Sequence, residues 1–283
     1  MTIELRGTGY FGKVPTAGDF QRQATADGPD SKTFDWFNDG WTRHALAGRR
    51  PDLGEPVSFC WQRPGADRTF VGVMVASRDR AGRRFPLLVF ASIAGTARFA
   101  DAVACSHEFF ERATSVAESG RAGVDVPALR AHVDALRTAF DADGVRRQAE
   151  WQASVTADAW ANGDAAARLR SVQYAFSGGG RPNFVLRGRW QGDLRHLAAV
   201  TSLLEATSGS PPAMLFWSRR DGEIAWRAAW DYAVPSLFEA LLWHDVQSAT
   251  AFDTDPGAVA VPATFAGRPA SPDARLSDLL SPR

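Results

Sequence analysis

"TFVGVMVAS" (69–77) and "FPLLVFASI" (85–93) are near-continuous apolar runs of strand length, separated by the polar turn "RDRAGRR" (78–84). A strand with one face in water alternates apolar and polar residues. These runs do not alternate, and they fit strands buried on both faces. "VSFCW" (57–61) precedes them across "RPGAD" (63–67) and places Val57, Phe59 and Trp61 on one side. Three strands joined by short turns predict an antiparallel meander. A sheet buried on both faces needs helices on both faces, so the fold class is α/β.

Helical patterns follow the meander. Residues 97–118 bring Phe99, Val103, Phe110 and Ala113 to one side. In "DVPALRAHVDALRTAF" (125–140), Asp125 is an N-cap candidate and Pro127 sits in the first turn. Leu129, Val133, Leu136 and Phe140 then form an amphipathic stripe. A further helix is expected over about 145–161. Strands are expected at "SVQYAFS" (171–177) and "FVLRGRW" (184–190), around a loop, and a helix near 193–207 uses Leu194, Leu197, Leu203 and Leu204. "AMLFWSRRDGEIAWRAAW" (213–230) predicts a hairpin turning at Asp221-Gly222. "PSLFEALLWHD" (235–245) predicts a helix opening at Pro235. Residues 1–250 are expected to form one domain and 251–283, rich in Pro, Ala, Gly, Asp and Thr, a mobile tail.

The 283 residues carry 32 basic and 32 acidic side chains, a formal net charge of zero. Nucleic-acid binding needs a basic footprint that this balance does not supply. Cys60 and Cys105, one in a strand-like and one in a helix-like run, read as reduced thiols. "MTIELRGT" (1–8) has no basic-then-apolar leader pattern, and "FPLLVFASIAG" (85–95) falls short of the roughly 20 residues of a membrane helix. A cytoplasmic protein without membrane insertion is expected.

"GTGYFGKV" (7–14) fits the glycine spacing of a kinase nucleotide loop and of a dinucleotide fingerprint. A kinase also needs a strand lysine, a His-Arg-Asp loop and an Asp-Phe-Gly; Lys32 lies in the polar "PDSKTF", and the other two motifs do not occur. A dinucleotide site needs a helix opening at the third glycine, where Pro15 and Gly18 oppose one. The stretch reads as a strand entering a tight, aromatic-anchored turn. "SGGGRPN" (177–183) lacks the Gly-Lys-Ser/Thr ending of a phosphate loop and reads as a hairpin loop. His107 and Glu111 share a helix face, but Glu111 stands where a zinc helix has its second His. No Gly-x-Ser-x-Gly occurs. Trp36, Phe37 and Trp41, at helical spacing, suit core packing. Nothing here assigns a catalytic, cofactor-binding or metal-binding residue.

"GYFGKVPTAGDFQRQ" (9–23) resembles the signature Gly-aromatic-aromatic-Gly-Lys-x-Pro-x-x-Gly-Asp-Phe of the TagF family of type VI secretion-associated proteins. "SRDRAGRRFPLLV" (77–89) resembles that family's Asp-Arg-x-Gly-Arg-x-Phe-Pro-Leu segment, with the aromatic-rich "FDWFNDGW" (34–41) between them. The signature covers about 7–95; the C-terminal half, 121–250, resembles the family more weakly, through "AMLFWSRRDGEIAW" (213–226). The resemblance implies a three-layer α/β/α sandwich with a mixed, largely antiparallel central sheet. It also implies a cytoplasmic accessory factor without catalysis or cofactor, which represses secretion after translation by binding a forkhead-associated scaffold protein. A structural subunit of the machine and a hydrolase are the rival readings. Lys13, Asp19, Phe20, Arg80, Arg83 and Arg84 are the candidate partner-binding residues of the two motif loops, with loop scaffolding as the competing role. Phe20 is expected to anchor the first loop in the core. An ion pair of Asp19 with Arg80 or Arg83 would stitch the two loops together.

Overall fold

The computed structural model describes residues 4–23, 31–47, 53–94, 99–140, 174, 176, 185–191, 194–243 and 251–253. Their strands are β1 (Glu4–Gly12), β2 (Gln21–Gln23), β3 (Val57–Trp61), β4 (Arg68–Val75), β5 (Leu87–Ala94), β6 (Val185–Gln191), β7 (Met214–Arg220), β8 (Glu223–Ala229) and β9 (Ala251–Asp253). Their helices are α1 (Ser31–Leu46), α2 (Phe99–Cys105), α3 (His107–Ala122), α4 (Val126–Ala135), α5 (Leu194–Ser208) and α6 (Phe238–Leu242).

All nine strands join one sheet in the order β2-β1-β5-β4-β3-β7-β8-β6-β9. Neighbours are antiparallel except β6 and β9, which run parallel. The expected meander is present as β3-β4-β5, with Gly72 opposite Phe59 and Phe90. The chain's two halves meet along β3 and β7, where Val57 faces Ser218 and Trp61 faces Met214. The 213–230 hairpin turns at Asp221-Gly222, whose φ values of 53° and 80° suit the primed turns that match strand twist.

Alternate residues of the central strands β3, β4, β5 and β7 divide between two cores. Val71, Val73, Val75, Leu87, Val89, Ala91, Leu215 and Trp217 pack with α2, α3, α4 and α5. Phe59, Trp61, Phe70, Met74, Leu88, Phe90 and Phe216 pack with α1 and α6. On the second face, Trp36, Phe37 and Trp41 of α1 are buried, as helical spacing predicted. Trp36 donates its indole N–H to the Val234 carbonyl at 2.9 Å. At the other face, Asp125 caps α4 by accepting the Ala128 amide at 2.7 Å, and Gly123, at φ 103°, closes α3.

Four differences from the sequence reading stand out. The 97–118 helix is two, broken at Ser106. The helix expected from Pro235 begins as a 3₁₀ turn, Pro235–Leu237, before α6. Of the strand expected over 171–177, Tyr174 is helical and Phe176 lies in a turn against Trp230, while the other residues of that stretch lie outside the described residues. Ala251–Asp253, inside the expected tail, add a strand to β6. The 145–161 helix, the 177–183 loop and residues 254–283 lie outside the described residues.

The glycines of 7–14 are explained by sheet packing. A Cβ on Gly9 would lie 2.4 Å from the Gln23 carbonyl oxygen and 2.8 Å from the Phe90 ring. Gly12 has φ 141°, and a Cβ there would lie 2.1 Å from the Pro86 carbonyl oxygen. Gly12→Ala is therefore expected to lower unfolding free energy by at least about 2 kcal/mol in chemical denaturation, combining backbone strain with a steric clash. A loss below about 0.5 kcal/mol would show that the turn relaxes at little cost.

Candidate functional site

The two motif segments, 9–23 and 77–89, meet at one end of the sheet because β1 and β5 are paired neighbours.

 The 77–85 hairpin follows β4 and leads into β5, and the 13–20 turn follows β1, so each loop leaves the sheet beside the other. Three backbone and side-chain contacts tie them. The Arg80 amide donates to the Ala17 carbonyl at 2.8 Å. The Arg83 guanidinium donates through Nη2 to the Gly18 carbonyl at 2.6 Å. Lys13 Nζ lies 3.2 Å from Asp79 Oδ2, with both side chains buried. On the far side, Thr16 donates its hydroxyl to the Val124 carbonyl at 3.1 Å, which holds the turn against the α3–α4 junction.

Asp79 is the centre of this knot. Its Oδ1 accepts the amides of Ala81 at 3.0 Å and Arg83 at 2.9 Å. Its Oδ2 accepts Arg83 Nε at 2.7 Å and faces Lys13. Burial alone would push the carboxyl up. The Arg83 amide, the Lys13 ammonium and the Arg83 guanidinium together outweigh it and bring the pKa from 3.8 down to about 2. The turn chemistry is written locally: an acidic side chain can accept amides two and four residues ahead of it in "DRAGR" (79–83). The sequence reading gave Asp79 no place among its candidates, because one of its two cationic partners, Lys13, comes from a distant segment.

The six sequence candidates separate into two groups. Lys13 is 6% exposed and structural; besides Asp79 it sits 4.9 Å above the Phe20 ring. Arg83 is spent on Asp79 and Gly18. Asp19, Phe20, Arg80 and Arg84 are exposed around this pair. Two expectations are corrected. Asp19 accepts the Phe20 amide at 2.8 Å and makes no ion pair with Arg80 or Arg83 among the described residues; the loops are stitched by Lys13–Asp79 and Arg83–Gly18 instead. Phe20 does not enter the core: it is 38% exposed, stacked on Phe11 at 5.6 Å and edge-on to Phe85 at 4.8 Å. An Asp bonded to its own turn is satisfied without a partner, and a ring over a buried ammonium stays at the rim.

Elsewhere, Cys60 is a buried free thiol whose pKa is raised by burial. No helix among the described residues is long and apolar enough to cross a membrane.

Because the Asp79 pKa is depressed on folding, its contribution to stability is fully present above 3.8 and is lost as pH falls through about 2. Thermal melts of the wild type against Asp79→Asn are expected to converge between those two values; parallel curves down to the lower one would remove Asp79 from the linkage. Lys13→Ala and Asp79→Ala should each lower the melting temperature, and the double variant should lose clearly less than the sum of the two. Additive losses would mean that the pair is not coupled.

Residues 9–136 match the family profile described as TagF N-terminal domain, type VI secretion system-associated. The match spans both motif loops, the meander and helices α1 to α4. No curated protein sequence matches the chain. Among solved structures, PA0076 from Pseudomonas aeruginosa PAO1 is similar at 17% identity, over 85% of this chain and 96% of that one, with a TM-score of 0.48. Residues 9–136 are thus a TagF N-terminal domain, of the kind associated with the type VI secretion system.

Proposed function

We propose that the protein is a non-enzymatic accessory factor of the bacterial type VI secretion system. It acts after translation, as a repressor, by binding a forkhead-associated scaffold protein in the cytoplasm. The observation that carries this reading is the convergence of the two motif loops into one surface, framed by exposed Asp19, Phe20, Arg80 and Arg84 around the Lys13–Asp79 pair. The TagF N-terminal domain supplies the secretion context. An exposed aromatic ring among charged side chains is the composition of a protein-binding rim and anchor.

Two further features support the reading. The strongly lowered carboxyl, Asp79, is low because two cations and two amides hold it, which suits scaffolding better than proton transfer near neutral pH. Apolar cores on opposite faces of the sheet, each with its own helices, favour a three-layer α/β/α sandwich whose loop ends are left for partners.

Deleting the gene is expected to raise type VI secretion, and overexpression to suppress it, measured as secreted substrate in culture supernatant. Affinity capture from cells expressing the system should recover the scaffold protein. Phe20→Ala combined with Arg80→Ala, both exposed, should keep the fold and reduce capture about tenfold or more, as loss of an interface anchor does. Unchanged secretion on both deletion and overexpression would sink the repressor reading. Full capture by the double variant would move the interface away from these loops.

A further inference from the structure

Beside the knot lies a cleft of about 430 Å³, between the 77–85 hairpin and the last turn of α3, lined by Ser77, Arg78, Arg84, Glu118 and Arg121. Its charge is unbalanced. Arg78 and Arg84 stand directly opposite each other across the hairpin and are both exposed. Like charges in that position repel. Arg121 is paired with Glu118 at 2.6 Å, so three arginines against one glutamate leave two net positive charges. Ser77 is 9% exposed, and its buried hydroxyl has no hydrogen-bond partner among the described residues. A buried hydroxyl left unmade is costly, and a ligand oxygen would relieve it. At the α3 end, the Ser119 and Gly120 carbonyls already accept the amides of Val124 and Gly123.

We propose that this cleft binds a phosphate monoester. Near neutral pH such a group carries about 1.5 to 2 negative charges, which matches the cleft, whereas a carboxylate would neutralise half of it. Guanidinium groups take phosphate oxygens in pairs, and the Ser77 hydroxyl can donate to another oxygen. Binding removes the Arg78–Arg84 repulsion and satisfies the hydroxyl in one step. The ester can be a phosphorylated side chain of a protein or a small free phosphate. The inference goes beyond the regulatory reading and does not need it, since phosphate binding is measured on the protein alone.

The test is isothermal titration of the full chain at constant ionic strength with five probes: inorganic phosphate, phenyl phosphate, glutarate, and a Gly-Ser-Gly peptide with and, separately, without phosphate on its serine. The phosphate probes are expected to bind and glutarate and the unphosphorylated peptide not to. The double variant Arg78→Ala, Arg84→Ala, with an unchanged melting temperature, should lose about tenfold or more in affinity. Ser77→Ala should lose a smaller factor. Tighter binding of the phosphopeptide than of phenyl phosphate supports the site with a protein as the source; equal binding supports it with a small ester as the source. No binding of any phosphate probe, equal binding of glutarate, or full affinity in the folded double variant overturns the proposal.

Discussion

Val71, Val73 and Val75 of β4 pack on one side of the sheet, while Phe70 and Met74 pack on the other. Leu87, Val89 and Ala91 of β5 divide from Leu88 and Phe90 in the same way. Each such side chain, fully buried, contributes about 1.5–3 kcal/mol, and Ala less. Leaving either face in water would forfeit several of these at once. Helices must therefore cover both faces, and the chain supplies α1 and α6 for one and α2 to α5 for the other. The same demand extends the sheet. With β3 and β4 buried on both faces, the free edge of β3 is closed by β7 from the second half of the chain. Covered faces and a paired edge leave the strand ends as the places where loops carry polar groups.

That is where Asp79 sits. A carboxylate at 2% exposure needs hydrogen bonds and opposite charge. Its own turn supplies two amides and the Arg83 guanidinium, and the first motif supplies Lys13. A buried ion pair is a weak source of net stability, because desolvation offsets much of its attraction. Its consequence here is positional. Asp79 has the Arg83 guanidinium within its own turn, but among the described residues the buried Lys13 finds its opposite charge at Asp79, so the arrangement that does not orphan Lys13 is the one with both loops in register. Phe20 and Arg80 are then displayed on a surface fixed from below.

What the sequence made legible was whatever local chemistry decides. Period and turn residues located β3, β4 and β5; Asp221-Gly222 located the second hairpin; Asp125 and Pro127 located the start of α4. What depended on distant segments was less legible. Asp79 looks like any turn aspartate until Lys13 is placed beside it. Phe20 looks like a core anchor until Phe11 and Phe85 are seen to offer it a rim. "SVQYAFS" has strand propensity, yet at Tyr174 the local preference gives way to a helical backbone. Ala251–Asp253 carry no strand pattern of their own and are ordered by pairing with Val185–Arg187. Of the site, the loops were readable from the two motifs, and the pairing between them was not.

The glycines of "GTGYFGKV" show why a letter pattern and a site are different things. A nucleotide loop spaces glycines so that backbone amides can approach phosphates. A strand spaces them by two when one face must admit a neighbour's ring, and Gly9 does this for Phe90 on β5. Gly7 lies at the register shift between β1 and β5, and Gly12 ends the strand where Pro86 passes. Both structures need small residues at close approach, so both can write the same letters. They diverge in what comes next. A nucleotide site continues into a helix whose amides are open to a ligand. This chain continues into Lys13, whose ammonium is committed to Asp79, and then into Pro15 and a turn whose polar groups are bonded to the 77–85 hairpin and the α3–α4 junction. The close approach that the glycines permit is filled by the protein itself.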